Sequence, residues 1–484
     1  MLTPNPARGA VADPIVIVLS PELKSLANPI RALISKAEEL VRSGRGGHAV
    51  DYAAVERTIE LLVADVERSA HADILASLEV DAPRVCIGGK TYALVGHSDG
   101  TYYLMAGPVS LTRALYREVG VRNGKTVDAI SLRAGVVGDG WLPKTAQSMA
   151  FLVGQGTSRE AAAAAAKLGR LPYSRPSFER VTHEIGERWG AAHVDIEDEL
   201  VVEFEIPKDA SSISVALDRV SLPMEEPAKR PIGRPRKDAP ENPINRVYRM
   251  AYVGTVTLHN EDGKALHTIR YGCMPQGDPV LLCTGMANDV YRILQRRPTL
   301  LVSLLADGAP EMWGLLESAI PPELVGKIRR LVDFYHLIEK LSLAAKVLAG
   351  DSKARELLRR WRATLRKRSG AALEILAELR RSGKENVRVN GDQPVHDAIT
   401  YLESHHERMN YAGAIRLGLP IGSGNVEATA KTLVAIRMKR AGSRWKEPTG
   451  QHIIRLRALN LSDRWDSAME HLHARHRTAV RKVA

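Results

Sequence analysis

The chain has 484 residues, 44% of them hydrophobic and 26% charged, a globular balance that excludes disorder along its whole length. No apolar run approaches the roughly 20 residues of a spanning helix, which excludes a membrane-embedded protein, and three scattered cysteines exclude a disulfide framework or a multi-cysteine zinc site and point to a reducing cytosol. Lys and Arg outnumber Asp and Glu by 68 to 56, so the first partner to consider is a polyanion.

The N-terminal stretch has a short apolar patch preceded only by Arg8 and no cleavage site, so no signal peptide is expected. Residues 1–80 read as a helical region: Ile30, Leu33 and Ile34, then Ile59, Leu61, Leu62 and Val66, recur at helical spacing. Over 81–140 the pattern changes. Tyr92, Leu94, Tyr102, Tyr103 and Leu104 alternate with glycine-rich turns, which predicts a small β-rich segment. Residues 141–208 return to helix, with the strong helix former Ala161–Ala166, a break at Gly169–Pro172 and a second helix. This is the outline of a helix-turn-helix or of an ordinary helical hairpin.

Residues 209–320 carry the most information. SISVALD, 212–218, alternates Ile213, Val215 and Leu217 on one face and is expected to end as a strand with Asp218 at its tip. Two β-patterned runs flank Glu261–Asp262–Gly263, a hairpin signal. ANDVYRILQRR, 287–297, looks helical. TLLVSLLAD, 299–307, is a continuous apolar run of strand length, as a strand buried on both faces requires, and it ends in Asp307. An α/β fold follows, a mixed sheet with flanking helices. Residues 321–415 read as an α-helical insertion. In 416–460, Gly422–Asn425 is a loop able to start a helix that carries Glu427, with Lys431 four residues on. The end, 451–484, with a basic tail from 461 to 484, is expected to be helical and to fray over its last dozen residues.

The positive charge is clustered. From Glu427 onward there are 13 Lys and Arg against 5 Asp and Glu. A second cluster, PAKRPIGRPRKD at 227–238, contains Gly-Arg-Pro, the core of an AT-hook, whose Arg234, Arg236 and Lys237 would lie in a narrow A·T minor groove; a simple basic linker is the plainer alternative. A third, RELLRRWRATLRKR at 355–368, runs along a helix and reads on its own as a solvated face.

Two Gly-Lys-Thr triplets lack the earlier glycine of a phosphate loop, since Arg84 and Val119 stand there. Ser423 lacks the glycine two residues before a nucleophile elbow, where Ile421 stands. His405–His406 and His336 with Glu339 lack a third ligand and read as surface or core polar groups. The strongest constellation is three acids: Asp218 and Asp307 ending neighbouring strands, and Glu427 opening a helix near the basic C-terminal region. Three rigidly held carboxylates suit hard Mg²⁺ ions, and two such ions about 3.5–4 Å apart serve phosphoryl transfer.

LLADGAPEMW (304–313), LVDFYHLIEKL (331–341) and IGSGNVEATAKTLVAIRMKRAGSRW (421–445) resemble the signature blocks of bacterial insertion-sequence DDE transposases, most closely the ISKra-type family, and SVALDRVSLPM (214–224) resembles that family's first-Asp block. The matching blocks span roughly 212–458. The resemblance implies an RNase H-like catalytic core with a helical insertion, preceded by a mainly helical DNA-binding region. It implies Asp218, Asp307 and Glu427 as the catalytic, metal-binding triad for two Mg²⁺ (or Mn²⁺) ions. Trp313, His336, Lys431, Arg437 and Trp445 would sit near the site. Arg437 and Lys439 would clamp phosphates, Arg440 and Arg444 would contact DNA, and Trp445 would stack on a base or pack the helix. Family members often carry a Cys-rich zinc ribbon in the N-terminal half; here only Cys86 remains in the corresponding strand-rich region, so no zinc is expected.

The function so implied is that of a transposase. It would bind its element's terminal inverted repeats, cleave the strands and join 3′-hydroxyl ends to target DNA, as a homo-oligomer on double-stranded DNA in the cytoplasm, at the nucleoid. A nuclease on the same fold without strand transfer, and a domesticated non-catalytic DNA-binding protein, are the rival readings.

Overall fold

The computed structural model describes residues 16–228, 244–318 and 328–483. The AT-hook-like residues Arg234, Arg236 and Lys237 lie outside them. The chain forms two compact units. One comprises the described residues as far as Thr145, Ala162–Tyr173 and the residues from His476 onward; the other comprises Ala146–Ala161 and Ser174–Arg475.

The first unit begins with helices α1 (Ala27–Gly44) and α2 (Tyr52–Ala76). The Asp51 carboxylate accepts the Ala54 N–H and so caps α2. Strands β1 (Arg84–Ile87), β2 (Lys90–Leu104), β3 (Gly107–Glu118) and β4 (Val127–Asp128) follow as an antiparallel sheet; the β-rich segment is the expected one, but β2 and β3 are long, 15 and 12 residues, because the chain pairs straight through Ser98–Gly100. Asp128 then caps the short helix α3 (Ala129–Ala134). Its buried carboxylate also accepts the Tyr102 hydroxyl at 3.0 Å and pairs with Arg113 at 2.9 Å.

Helices α4 (Pro143–Gln155), α5 (Ser158–Lys167) and α6 (Arg175–Glu203) come next, with the break between α5 and α6 where Gly169–Pro172 predicted it. Along its 29 residues α6 buries Phe178, Val181, Ile185, Trp189, Ile196 and Leu200, so this helix is committed to the core of the second unit.

That unit is built on strands β5 (Ser212–Pro227), β6 (Ile244–His259) and β7 (Ala265–Cys273), an antiparallel meander. The β6–β7 turn is the expected one: Gly263 takes φ +73°, and the Asn260 side chain accepts the N–H groups of Asp262 and Lys264. Helix α7 (Pro279–Arg296) leads to β8 (Leu301–Ala306), which pairs parallel to β5. Val302–Ala306 are all buried, as the unbroken apolar run required. Helix α8 (Pro310–Ser318) precedes β9 (Ile328–Val332), parallel to β8, and the sheet order is β7-β6-β5-β8-β9.

Two expectations change here. Asp218 is not at a strand tip, because β5 continues nine residues beyond it, held by pairing with β6 as far as Pro227. The stretch after residue 320, expected to be helical, contains β9. This strand lies at the sheet edge, where Arg329 is exposed, so its sequence lacks the apolar continuity of β8.

Helices α9 (Phe334–Lys367), α10 (Ala371–Arg381), α11 (Pro394–His405) and α12 (Tyr411–Arg416) then pack largely on one another, in keeping with the helical character expected of this stretch. Gly350, at φ +71°, divides α9 into two arms. Helix α13 (Gly424–Thr429) passes through a π-turn, Ala430–Ala435, into α14 (Ile436–Met438); α15 (Glu447–Leu461) and α16 (Trp465–Arg475) complete the unit.

The end of the chain does not fray as a helix. Val480–Lys482 form β10, which pairs antiparallel with β1 and completes the first unit's sheet. Among the described residues no helix is long and apolar enough to cross a membrane.

Candidate active site

The parallel register sets the site. The last β5–β8 partners are Ala216 and Leu305, and the last β8–β9 partners are Ala306 and Val332. Continued along the strands, this register puts Asp218, Asp307 and Asp333 in one row across three neighbouring strands. The Asp333 N–H donates to the Ala306 carbonyl at 3.0 Å, which anchors that end of the row.

Each carboxylate is held by backbone. Asp218 Oδ1 accepts the Arg219 N–H at 2.7 Å, and Asp307 Oδ1 accepts the Ala309 N–H at 2.9 Å. The Asp307 carbonyl accepts the Trp313 indole N–H at 2.9 Å, and Arg408 lies over the Trp313 ring, 4.6 Å from its centroid. Burial pushes the Asp218 carboxyl above its ordinary value; the charge of Asp307 adds to that, and the Arg219 N–H and His336 oppose it.

Asp333 is fully buried and caps α9, accepting the His336 N–H at 2.8 Å on Oδ1, while Oδ2 accepts the Ser423 N–H. Burial alone would raise this carboxyl, but the hydrogen bonds from His336 and Ser423 outweigh it and hold it down at about 2. The His336 ring stands with Nδ1 3.4 Å from Asp333 Oδ1. That contact raises the imidazole to about 9 against the opposing effect of burial, with Glu427 and Glu339 adding to the rise.

Glu427 lies in the first turn of α13, exposed, and its Oε1 accepts the Ser423 hydroxyl at 3.3 Å. Asp333, His336 and Glu427 each bring a ligand atom within 4.8 Å of the others, an arrangement able to hold a metal ion. The structure thus brings Asp218 beside Asp307, and Glu427 beside Asp333 and His336. His336 interacts electrostatically with both Asp218 and Glu427. Matched with Glu339 along its own helix, His336 lacks a third ligand; its neighbours across the fold are Asp333 and Glu427. Sequence reasoning missed Asp333, although an acid that ends a short apolar segment, here Leu331–Val332, is the same signal that singled out Asp307.

The basic residues separate into two groups. Lys431, Lys439 and Arg444 are exposed. Arg440 is engaged in a two-pronged pair with Glu160, at 2.5 and 2.7 Å, which holds the Glu160 carboxyl at about 2. Arg437 and Trp445 are not presented to a ligand. Arg437 is buried, donates to the Val153 carbonyl at 3.2 Å and stacks 5.0 Å from the Trp445 ring; burial lowers its guanidinium to about 10. Trp445 donates its indole N–H to the Met438 carbonyl at 2.9 Å and bonds through its backbone to Pro223 and Glu225 on the far half of β5. Of the two roles expected for Trp445, packing is the one it fills in this structure.

No family model and no curated protein matches the chain. Among solved structures it is similar to a Drosophila P element transposase strand transfer complex, with 14% identity and a TM-score of 0.24 over 68% of this chain and 79% of that chain.

Proposed function

We infer that the chain is a DDE transposase, and that Asp218, Asp307 and Glu427 hold two Mg²⁺ (or Mn²⁺) ions in an RNase H-like core. The observation that carries this reading is the row Asp218–Asp307–Asp333, with Glu427 brought next to Asp333 and His336 at one end of it. The mixed sheet with flanking helices and the ISKra-type sequence blocks support it.

The donor set fits the metal. These are hard carboxylate oxygens, and the Asp218 carboxyl, raised first by burial and further by the charge of Asp307 beside it, is one whose charged form a divalent cation would favour. When bound, such ions supply an activated nucleophile and stabilise the leaving oxygen of a phosphodiester. The chain's own part is positional. The interior of β5 fixes Asp218 and the end of β8 fixes Asp307, and Asp333 ties down the loop before Glu427. Protonated His336 offsets the local negative charge, while exposed Lys431, Lys439 and Arg444 face the phosphates of double-stranded DNA.

The substrates in this reading are the element's terminal inverted repeats and a target duplex, with the protein acting as a homo-oligomer. The test is cleavage and strand transfer on DNA carrying the repeats that flank the gene. Asp307→Asn and Glu427→Gln should lose both reactions and keep DNA binding. An Asp307→Asn protein that cuts in Mg²⁺ at the parent rate overturns the reading. Cleavage without joining would instead identify the related nuclease.

A further inference from the structure

The second arm of α9, beyond Gly350, separates its apolar and cationic residues. Ala354, Trp361 and Leu365 are buried. Arg355, Arg359, Arg362 and Arg366 are all exposed and fall at intervals of four, three and four, which aligns them in one row. By helix rise the row spans about 16 Å. The ion pairs here belong to other residues: Arg360 on the arm binds Glu378, and Arg368, just past its end, binds Glu374 at 2.9 Å. Among the described residues none of the four row arginines is ion-paired, although Glu356 lies on the same arm. Like charges one turn apart repel. A helix that keeps four of them unpaired is suited to a polyanion, and the guanidinium fork matches phosphate in particular.

The row also leads somewhere. Arg366 lines a cleft with Tyr335, Gly422, Gly424 and Asn425. Ser423, in the same loop, donates its N–H to Asp333 and its hydroxyl to Glu427. The cations therefore end at the loop that holds the acids. Tyr335 leaves its ring half exposed at the same cleft, a surface on which a base can stack.

We propose that Arg355, Arg359, Arg362 and Arg366 form a track that leads the phosphates of one DNA strand to the Asp333–Glu427 loop. The proposal rests on the DNA-binding part of the functional reading and not on its metal chemistry.

The experiment uses the full chain in EDTA and a duplex with a single-stranded tail, with affinity measured across a salt series. Arg355→Gln combined with Arg362→Gln should lower the slope of log affinity against log salt by about two, near 0.9 for each duplex phosphate that is no longer neutralised. Arg360→Gln with Arg368→Gln removes the same charge from the arm and its C-terminal cap, off the row, and should leave the slope at the parent value. If the first pair disturbs thermal unfolding, Arg359→Gln with Arg366→Gln reads the same slope. An unchanged slope in the row variants overturns the proposal, as does an equal fall in the control. Loss of binding to vesicles containing phosphatidylserine, with DNA binding intact, overturns it too. Because no cleavage is read, a failure of the metal reading leaves this result standing, and a failure here leaves the acids' chemistry untouched.

Discussion

The buried carboxylate of Asp333 accepts the backbone N–H of Ser423, so the end of β9 and the start of the helix bearing Glu427 are joined by one charged hydrogen bond. The same carboxylate caps α9 through His336. Asp333→Ala leaves both N–H groups without their acceptor. The expected cost is about 1–3 kcal/mol, the penalty of unsatisfied buried donors, read as a lowered midpoint in denaturant. Catalysis should fall further than stability, because Glu427 loses its anchor. A variant with parent midpoint and parent activity would remove Asp333 from the site.

The His336–Asp333 contact has a pH signature in the metal-free protein. His336 is raised from 6.5 to about 9, so its contribution is complete below pH 6.5 and is lost as pH rises through about 9. Asp333 is lowered from 3.8 to about 2, so its contribution is present above pH 3.8 and is lost as pH falls through about 2. The pair's contribution to stability is therefore complete between about pH 4 and 6.5. NMR titration of the His336 ring in EDTA checks this; a midpoint near 6.5 would contradict it.

Ca²⁺ should permit DNA binding but not cleavage, since its loose coordination does not hold the attacking and leaving oxygens in line. Glu427→Gln should reproduce that state in Mg²⁺. Its affinity for DNA should equal the parent's or exceed it slightly, as one negative charge near the phosphates is gone. Filter binding and end-cleavage assays on the same preparations separate the two effects.

Trp445 and Arg437 test packing against DNA contact. Trp445→Ala removes a buried ring and should cost about 3–5 kcal/mol, with the salt dependence of DNA binding by the folded protein unchanged. A protein of parent stability that bound DNA with a shallower salt slope would return Trp445 to the interface.

Arg464 and Asp289 are both almost fully buried, 2.9 Å apart, and Tyr271 donates its hydroxyl to the same carboxylate at 2.5 Å. Arg464→Met leaves a buried acid unpaired and should destabilise by about 3–5 kcal/mol. Arg475→Ala, at an exposed pair with Glu199, should cost less than about 1 kcal/mol. Thermal unfolding of the two variants side by side gives the comparison.

The parts of this fold that could be read in the sequence are those where pattern and burial coincide. β8 is buried along Val302–Ala306 and shows it as an apolar run; the β6–β7 hairpin carries Asp-Gly at its turn. β9 could not be read so, because an edge strand need bury only part of its surface and tolerates Arg329 and Arg330. The far half of β5 was hidden for another reason. Its Pro223 and Glu225 are poor strand formers, and the backbone of Trp445, more than 200 positions away, completes their hydrogen bonding. In the site, Asp307 was legible from its strand and Glu427 from its helix start. The link between them was not, since a hydrogen bond from Ser423 to Asp333 spans 90 positions and leaves no local pattern.

The pairing of β1 with β10 has a consequence for synthesis. Ile87 and Val480 are partners 393 positions apart. At ribosomal rates of about 5–20 residues per second, the outer edge of β1 waits roughly 20–80 s after it emerges before its neighbour exists. A β1 strand formed in that interval would leave the edge that later pairs with β10 open to water, a handle for chaperones and a hazard for other growing chains.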